Sequence, residues 1–239
     1  MILSNLLKKS KLWGEIKLMS RRIKSSGGKA KTLPIKDKKL LDRVYEFLIY
    51  EIRHARSKIK REQAYRNYML FLIGFNTAFR AEDLLQLKVK DVIKGYMSIK
   101  ELKTGKWQHF RMNKELHEEI LEYIKKMKLE NEDYLFMGQK TVDTYRGVSK
   151  KVIYPITRQN CQNTIFPKVI RACGIDFEFG LHSLRKTFGY FYVLNGGNVI
   201  TLQKMYNHDE PSTTLLYVMW NKEDAEKDRE SIFLGRRKK

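Results

Sequence analysis

Apolar residues recur every three to four positions over several stretches of this chain, which is the spacing of helices with one buried face. Four such helices are predicted before residue 130, over residues 37–58, 61–77, 81–87 and 113–128, and the second of them is predicted to be the more buried. From Arg158 to the end the pattern is helical again, with breaks at Gly174, at Gly196 and Gly197, and around residues 208–211.

Two short segments have the pattern of β-strands instead. Residues 96–102 and 107–112 predict two strands joined through Lys103-Thr104-Gly105-Lys106, where the glycine suits a tight turn. Residues 138–156 are polar and are predicted to be irregular. The expected fold is therefore α+β and mostly helical, with one small antiparallel β-sheet.

The charge of the chain narrows the class of partner. The 239 residues include 48 Lys and Arg against 27 Asp and Glu, which gives a formal net charge of +21 and a pI near 9.8. A hydrophobic content of 42% is enough for a folded core. A field of this size favours polyanions such as DNA, RNA or an anionic membrane, and a generic RNA-binding protein would have a similar composition.

Cysteine use and hydropathy indicate the compartment. Cys161 and Cys173 form no C-x-x-C pair, and no signal peptide or targeting motif is apparent, which favours a reducing cytoplasm. The most apolar stretch, residues 68–79, is too short to span a bilayer. We therefore expect a nucleic acid as the partner and no membrane association.

The basic residues are concentrated at the start of the chain. Residues 1–39 contain twelve Lys or Arg and only two acids. Because this segment is too small to have a core of its own, residues 1–33 are predicted to be a nucleic-acid-contacting arm, either flexible or a short helix. Residues 34–220 are predicted to form the main domain and residues 221–239 a C-terminal tail.

The residue types present limit the chemistry that the chain could perform on a phosphate. The sequence contains no P-loop, no Cys/His cluster with zinc spacing, and no carboxylate cluster like those of two-metal nucleases. The expected mechanism therefore needs no metal and no cofactor. It would use Arg, Lys, His and a hydroxyl nucleophile.

Three places could supply those groups, and each has a plainer explanation. His182 and Arg185 are three residues apart and would share one helix face, although such pairs also arise by chance. Arg80 follows an apolar run at a helix start, where an ion pair with Glu82 or Asp83 would also explain it. Tyr217 is one of thirteen tyrosines, most of which are expected to serve packing.

Taken in order along the chain, these residues belong to a set of five motifs: Thr77-Ala78-Phe79-Arg80-Ala81-Glu82-Asp83-Leu84-Leu85-Gln86-Leu87, Lys103-Thr104-Gly105, His182-x-x-Arg185, Tyr206-Asn207-His208 and Tyr217. Together the five motifs resemble the signature of the tyrosine recombinases, the family of phage lambda integrase and the Xer chromosome-dimer resolvases. The intervals from Arg185 to Tyr217 and from His208 to Tyr217 match the usual family spacing. The resemblance covers about residues 34–220, which it identifies as a catalytic domain of that fold.

The resemblance implies a role for each matched residue. Tyr217 would attack the scissile phosphorus and form a 3′-phosphotyrosyl link. Arg80 and Arg185 would clamp the phosphate and stabilise the transition state. The remaining roles fall to His182 as general base or acid, to Lys103 as the proton donor to the leaving 5′-hydroxyl (with Lys106 as its competitor), to His208 as a phosphate ligand that helps to position Tyr217, and to Asp83 as a carboxylate that braces the arginines.

The chain departs from the family pattern at three points. Asp83 stands where Glu is commoner, and Asn207 stands where Gly usually precedes the histidine; asparagine tolerates left-handed backbone angles better than most residues. Family members usually carry a DNA-binding domain of about a hundred residues before the catalytic domain, whereas only 33 residues precede it here. The sequence is expected to be a minimal recombinase, with a fragment as the alternative.

The resemblance implies double-stranded DNA as the partner and a homotetramer on DNA, with a monomer or dimer when free. Residues 221–239 would either pack into a neighbouring protomer or pack on their own domain. The expected activity is site-specific recombination in integration, excision or resolution, in a bacterial cytoplasm and associated with the nucleoid. Two alternatives remain at this stage: a DNA-binding regulator that does not cleave, and a type IB topoisomerase-like relaxase.

Overall fold

The computed structural model describes residues 32–145, 148–208 and 211–219, together with residues 224, 226, 229 and 230. Most of the predicted arm and most of the predicted tail therefore lie outside the described residues. The described part begins at the predicted start of the main domain, where the Leu33 amide donates to the Glu178 carbonyl at 2.9 Å.

Three helices form the first part of the domain. Helix α1 (Lys38–Arg53) is capped by the Asp37 carboxylate, helix α2 (Lys58–Asn76) is capped by the Ser57 hydroxyl, and helix α3 (Ala81–Leu85) begins directly after Arg80. Helix α2 lies at the centre, in contact with helices on several sides, and its second half from Met69 to Phe75 is almost wholly buried. The prediction that this helix is the more buried one is confirmed.

The first hairpin has the predicted place in the chain. Strands β1 (Tyr96–Lys100) and β2 (Trp107–Arg111) pair antiparallel, with Lys100 opposite Trp107 and Tyr96 opposite Arg111. Gly105 has a φ of 67°, so the turn uses the left-handed conformation that glycine adopts without strain. A 3-10 turn (Val89–Asp91) precedes the hairpin and helix α4 (Lys114–Met127) follows it.

The prediction of irregular structure for residues 138–156 was wrong. Strands β3 (Met137–Tyr145) and β4 (Val148–Pro155) form a second antiparallel hairpin, with a register irregularity between Met137 and Lys140. A polar segment can form such a hairpin because strand pairing satisfies its backbone hydrogen bonds, and an antiparallel pair does not need an apolar face on both sides. The described residues therefore form two small sheets, and not the one sheet that was predicted.

The second half of the domain is helical, as predicted. Helix α5 runs through Arg158–Asn160, a π-helical turn at Cys161–Ile165 and Phe166–Cys173, and it ends at Gly174 with a φ of 65°. Helices α6 (Leu181–Leu194), α7 (Val199–Tyr206) and α8 (Pro211–Tyr217) follow. None of the helices in the described ranges is long and apolar enough to cross a membrane.

Two apolar clusters hold these elements together. The larger one joins α1, α2, α4, α5 and the inner side of the first hairpin. A smaller one joins α6, α7 and the end of α8 through Ala78, Tyr190, Leu202, Tyr206 and Val218. The smaller cluster fixes the corner of the domain where the predicted catalytic residues meet.

Candidate active site

One cleft of about 680 Å³ collects every residue that the sequence predicted for the site. Lys106, the competitor of Lys103, is not among the residues that line it. The lining residues come from the start of α3, the turn of the first hairpin, the start of α6 and the corner between α7 and α8. They are Arg80, Glu82, Asp83, Leu102, Lys103, His182, Arg185, Asn207, His208 and Tyr217.

Two backbone carbonyls hold the Arg185 guanidinium in place. It is only 3% exposed, and its guanidinium donates to the Ala78 carbonyl and, at 2.8 Å, to the Tyr206 carbonyl. Helix α6 places His182 one turn before it, so that both side chains reach the same cleft. Burial lowers the pKa of Arg185, but an arginine remains protonated at any physiological pH.

Arg80 is oriented by a carboxylate that the sequence did not suggest. Its Nη1 lies 2.6 Å from Oε2 of Glu101, and its Nη2 donates to the Tyr206 carbonyl at 3.2 Å. This contact joins two opposite charges at close range in a mostly buried setting. The alternative of a helix-start pair with Glu82 or Asp83 is not what the structure shows, because Glu82 pairs with Arg158 and the Asp83 carboxylate accepts from the Leu102 amide.

Glu101 is a buried anion at the end of β1, where the turn of the first hairpin begins. Its side chain is fully inaccessible, and it accepts hydrogen bonds from the Thr104 hydroxyl and the Gln108 amide. Burial raises the pKa of Glu101, but hydrogen bonds from Thr104 and Asn207 and the charge of Arg80 outweigh it, so the net pKa lies below the usual value. Glu101 is therefore ionised and joins Arg80 to the turn that holds Lys103.

The Asp83 carboxylate contacts the backbone of the same hairpin. Its Oδ1 accepts from the Leu102 amide at 2.9 Å, and its Oδ2 is buried with no hydrogen-bond partner among the described residues. Burial raises the pKa of Asp83, although the Leu102 amide opposes that effect. In this geometry Asp83 fixes the residue next to Lys103, while Glu101 contacts the arginine that Asp83 was predicted to brace.

His208 is held at the corner between α7 and α8. Asn207 has a φ of 50°, the left-handed conformation for which asparagine is a tolerable substitute for glycine. The His208 amide and carbonyl both bond to Gln203, and its Nδ1 lies 3.0 Å from the Thr214 hydroxyl. The imidazole is therefore fixed on one side and presents its other side to the cleft.

Tyr217 ends helix α8 beside these groups. Its ring lies 5.2 Å from the His208 ring, and the Arg185 guanidinium lies 5.8 Å from its centre. Burial raises the pKa of Tyr217, while the charges of Arg185 and Arg80 lower it. Attack by Tyr217 would therefore need a base and a positive field, both of which the cleft contains.

His182 is suited to be that base. Burial lowers the pKa of His182 below its usual value, and the charge of Arg158 lowers it further. Glu82 opposes these effects, and the charges of Arg185 and Lys186 add smaller lowering effects. The imidazole is therefore neutral near pH 7 and able to accept a proton.

Tyr206 connects the groups of the cleft; the sequence analysis included it in the motif Tyr206-Asn207-His208 but gave it no role. It is fully buried, its carbonyl accepts from both arginines, and its hydroxyl donates to the Arg185 carbonyl at 2.6 Å. Its ring lies 4.4 Å below the Arg185 guanidinium and 5.3 Å from the Tyr217 ring. One residue therefore sets the positions of both cations and of the predicted nucleophile.

The arrangement is matched to an anion with developing charge. Two guanidiniums share one carbonyl acceptor, so their positive charges repel each other, and a phosphate bound between them would offset that repulsion. Among the described residues, no three His, Cys, Asp or Glu side chains are placed to hold a metal ion. Cys161 and Cys173 are buried thiols outside the cleft, and burial raises the pKa of each to about 11.

Comparisons with known proteins agree with this geometry. The model of the phage integrase family matches residues 23–224. The chain is 40% identical to the probable integrase/recombinase YoeC of Bacillus subtilis over 64% of this chain and 77% of that protein. It is 24% identical to the tyrosine recombinase XerC of Staphylococcus epidermidis over 72% of this chain but only 53% of that protein.

Solved structures show the same fold. The crystal structure of XerA recombinase superposes with a TM-score of 0.60 at 16% identity, over 89% of this chain and 67% of that one. XerH site-specific recombinase bound to a palindromic difH substrate superposes with a TM-score of 0.58 at 23% identity, over 86% of this chain and 54% of that one. From its sequence match and its fold, this chain belongs to the phage integrase family and carries the tyrosine recombinase fold.

Proposed function

We propose that this protein is a site-specific DNA recombinase that cuts and rejoins strands through a 3′-phosphotyrosyl intermediate at Tyr217. The observation that supports this most directly is the convergence of Arg80, Lys103, Arg185 and Tyr217, with two histidines, on one cleft. A protein that only binds DNA needs cations there, but it does not need a tyrosine against two guanidiniums and a neutral imidazole.

In the proposed reaction, the Tyr217 oxygen attacks the phosphorus and its proton passes to His182. Arg80 and Arg185 hold the non-bridging oxygens as charge develops on them. The bond from phosphorus to the 5′-oxygen breaks, and Lys103 gives that oxygen a proton. A 5′-hydroxyl of another strand then attacks the phosphotyrosine, which releases Tyr217, so that the number of phosphodiester bonds is conserved and no nucleotide is hydrolysed.

Lys103 is the proposed acid because the hairpin turn brings it to the cleft, whereas Lys106, at the far end of the turn, does not line the cleft. The Asp83 and Glu101 contacts fix the two residues that lead into that turn, Glu101 and Leu102. Lys103, directly after this anchored pair, can reach the leaving oxygen without losing its place relative to Arg80.

For the whole protein we propose double-stranded DNA as the substrate and a homotetramer on DNA. XerH is described on a palindromic substrate, and a palindromic site matches a two-fold pair of protomers. Two such sites brought together would need four. Residues 1–33 are proposed as a phosphate-contacting arm, so affinity should fall steeply with salt. We place this activity in the bacterial cytoplasm, at the nucleoid.

The test uses nicked duplexes from the ends of the element that encodes the protein. Wild-type protein should form an SDS-resistant adduct with the DNA, and the Tyr217→Phe variant should bind equally but form none. If both proteins bind and neither forms an adduct at low salt on several substrates, the chain is a DNA-binding regulator. Adducts and relaxation of supercoiled DNA without any pairing of two sites would support the topoisomerase-like alternative.

A further inference from the structure

The first hairpin has a second face that the proposed cleft does not use. Side chains alternate between the two faces along each strand. On the inner face, Met97 and Ile99 pack into the core, and the Gln108 amide donates to the Glu101 carboxylate. The opposite face, which we call the outer face, is mostly exposed. It consists of Tyr96, Ser98, Lys100, Trp107, His109 and Arg111.

The outer face combines flat rings with positive charge. Trp107 is 68% exposed and Tyr96 is 44% exposed, which are high values for large aromatic residues. The Tyr96 and His109 rings are stacked, with 5.1 Å between their centres and 7° between their planes. Lys100 lies directly opposite Trp107 in the strand register, and Arg111 lies opposite Tyr96.

Acidic residues are missing from this face. The only carboxylate of the hairpin, Glu101, is buried on the other side with Arg80. The turn adds the exposed cations Lys103 and Lys106. A protein partner would more often meet an apolar patch, whereas interleaved rings and cations complement a ligand with aromatic faces and a polyanionic backbone.

We propose that the outer face is a binding platform for unpaired DNA bases, which would stack on Trp107 and on the Tyr96–His109 pair while Lys100 and Arg111 meet the phosphates. Base faces are hidden inside a duplex, and so only unpaired nucleotides can use exposed rings in this way. Trp107 and His109 are two positions apart on one strand, about 7 Å, which leaves room for a base on each ring.

The position of the platform gives it a use in the proposed function. The same turn that brings Lys103 to the cleft connects the two strands of the platform. A strand released from the cleft must leave its duplex before it can join another, and its bases are unpaired in that interval. The biological role rests on the proposed recombinase function, whereas the binding of unpaired DNA does not.

The test measures binding without cleavage, in the full chain with Tyr217→Phe. Fluorescence anisotropy at one fixed salt concentration compares a single-stranded oligothymidine with a duplex of equal length. Trp107→Ala should weaken binding of the single strand by about tenfold and change duplex binding by less than about twofold. Trp107→Phe keeps a ring and should restore most of the affinity.

The matched control is Tyr50→Ala. Tyr50 is 54% exposed and also stacks on a histidine, His54, but it lies on α1 and outside the hairpin. This variant should bind both DNAs like the parent. A direct signal comes from a protein in which Trp13 and Trp220 are changed to Phe, because quenching of the remaining Trp107 by single strands alone would show the stacking itself.

Several results would overturn the platform. They are an equal loss on single-stranded and duplex DNA, no loss on the single strand, or self-association of the parent protein that Trp107→Ala abolishes, which would assign the face to a second copy of the chain. Failure of the platform leaves adduct formation by the wild-type protein intact, and failure of the recombinase proposal leaves the binding difference intact, so the two can be told apart.

Discussion

At the scale of single residues, Tyr206 has the largest number of different roles in the cleft. Its carbonyl accepts from two arginines, its hydroxyl donates to the Arg185 backbone, and its ring lies under the Arg185 guanidinium. None of these contacts would touch DNA. Tyr206 is therefore a positioning residue, whose loss should change the rate of the reaction through the geometry of the arginines.

The first prediction separates positioning from stability. Tyr206→Phe keeps the ring but removes the hydroxyl and its bond to the Arg185 carbonyl, and it should cost about 1 kcal/mol of unfolding free energy. It should also slow adduct formation several-fold, with DNA affinity unchanged. Tyr123→Phe is the matched control, because Tyr123 is also fully buried and donates to the Leu135 carbonyl at 2.6 Å, away from the cleft. Equal slowing in both variants would mean that only stability matters.

The second prediction concerns the charge beside His182. After burial, Arg158 is the largest influence that lowers the pKa of His182. A lowered pKa keeps the base neutral, so the adduct rate should fall only when the pH drops through that lowered value. Arg158→Gln should raise the pKa and shift the acid limb of the pH–rate profile to higher pH.

Arg171→Gln provides the comparison for this shift. Arg171 is exposed on the same helix, α5, and does not contribute to the pKa of His182. Its removal lowers the net charge equally and should leave the acid limb in place. A limb that moves to lower pH in Arg158→Gln, or that moves equally in both variants, would contradict the assignment of His182 as the base.

At the scale of elements, helix α6 depends on a close approach at Gly189. A Cβ built on this glycine would lie 2.0 Å from the Tyr206 hydroxyl and 2.5 Å from a Val218 methyl carbon. Gly189 lies in the middle of a helix, where alanine is normally preferred by about 1 kcal/mol. The glycine is therefore explained by the packing of α7 and the end of α8 against α6.

The third prediction tests that packing. Gly189→Ala should destabilise the domain despite the better helix propensity, because Tyr206 must move, and adduct formation should fall with it. Adding Tyr206→Leu, which removes the ring but leaves the Val218 contact, should recover part of the lost stability but not the rate. The readouts are the melting temperature and the adduct rate. A Gly189→Ala protein more stable than the parent would show that α7 can shift freely.

The elements also show where the sequence was informative. The helices predicted from apolar spacing are all present, because each buries one side against a shared core. The bound between the first two was wrong: the first helix, predicted to run to residue 58, ends at Arg53, and the second begins at Lys58 and not at residue 61. The second hairpin was missed because its segment is polar, although Thr141, Val142, Thr144 and Tyr145 have high strand propensity. Strand propensity was the better guide to this segment than its polarity.

Glu101 was missed for a different reason. Strand alternation places it on the side of Met97 and Ile99, so the pattern predicts an inward carboxylate at the end of β1. No spacing rule, however, indicates that Arg80, twenty-one residues earlier, would meet it. Contacts between distant segments, such as those of Tyr206, depend on the packing of whole elements and have no local signal in the sequence.

At the scale of the whole molecule, the start of the domain and the segment after Tyr217 meet. Asp224 is 5% exposed, its Oδ2 lies 2.7 Å from the Lys36 ammonium, and its Oδ1 accepts from the Tyr190 hydroxyl at 3.0 Å. These partners belong to the same chain. The contact favours the alternative in which this part of the tail packs on its own domain, and exchange between protomers stays a prediction for residues beyond it.

The fourth prediction uses this contact to separate the two arrangements. Asp224→Asn leaves the Lys36 ammonium without its charge partner and should lower the melting temperature of dilute protein by a few degrees, since 1 kcal/mol corresponds to about 2–4 °C in a domain of this size. Lys38→Gln, which breaks an exposed pair with Asp42, should change the melting temperature little.

The dependence on protein concentration separates the two arrangements. If the tail packs in its own chain, the decrease in melting temperature is the same at every protein concentration. A loss that appears only at concentrations where protomers associate would instead mean that Asp224 docks on a neighbour, and the start of the tail would then couple Tyr217 of one protomer to the domain of the next.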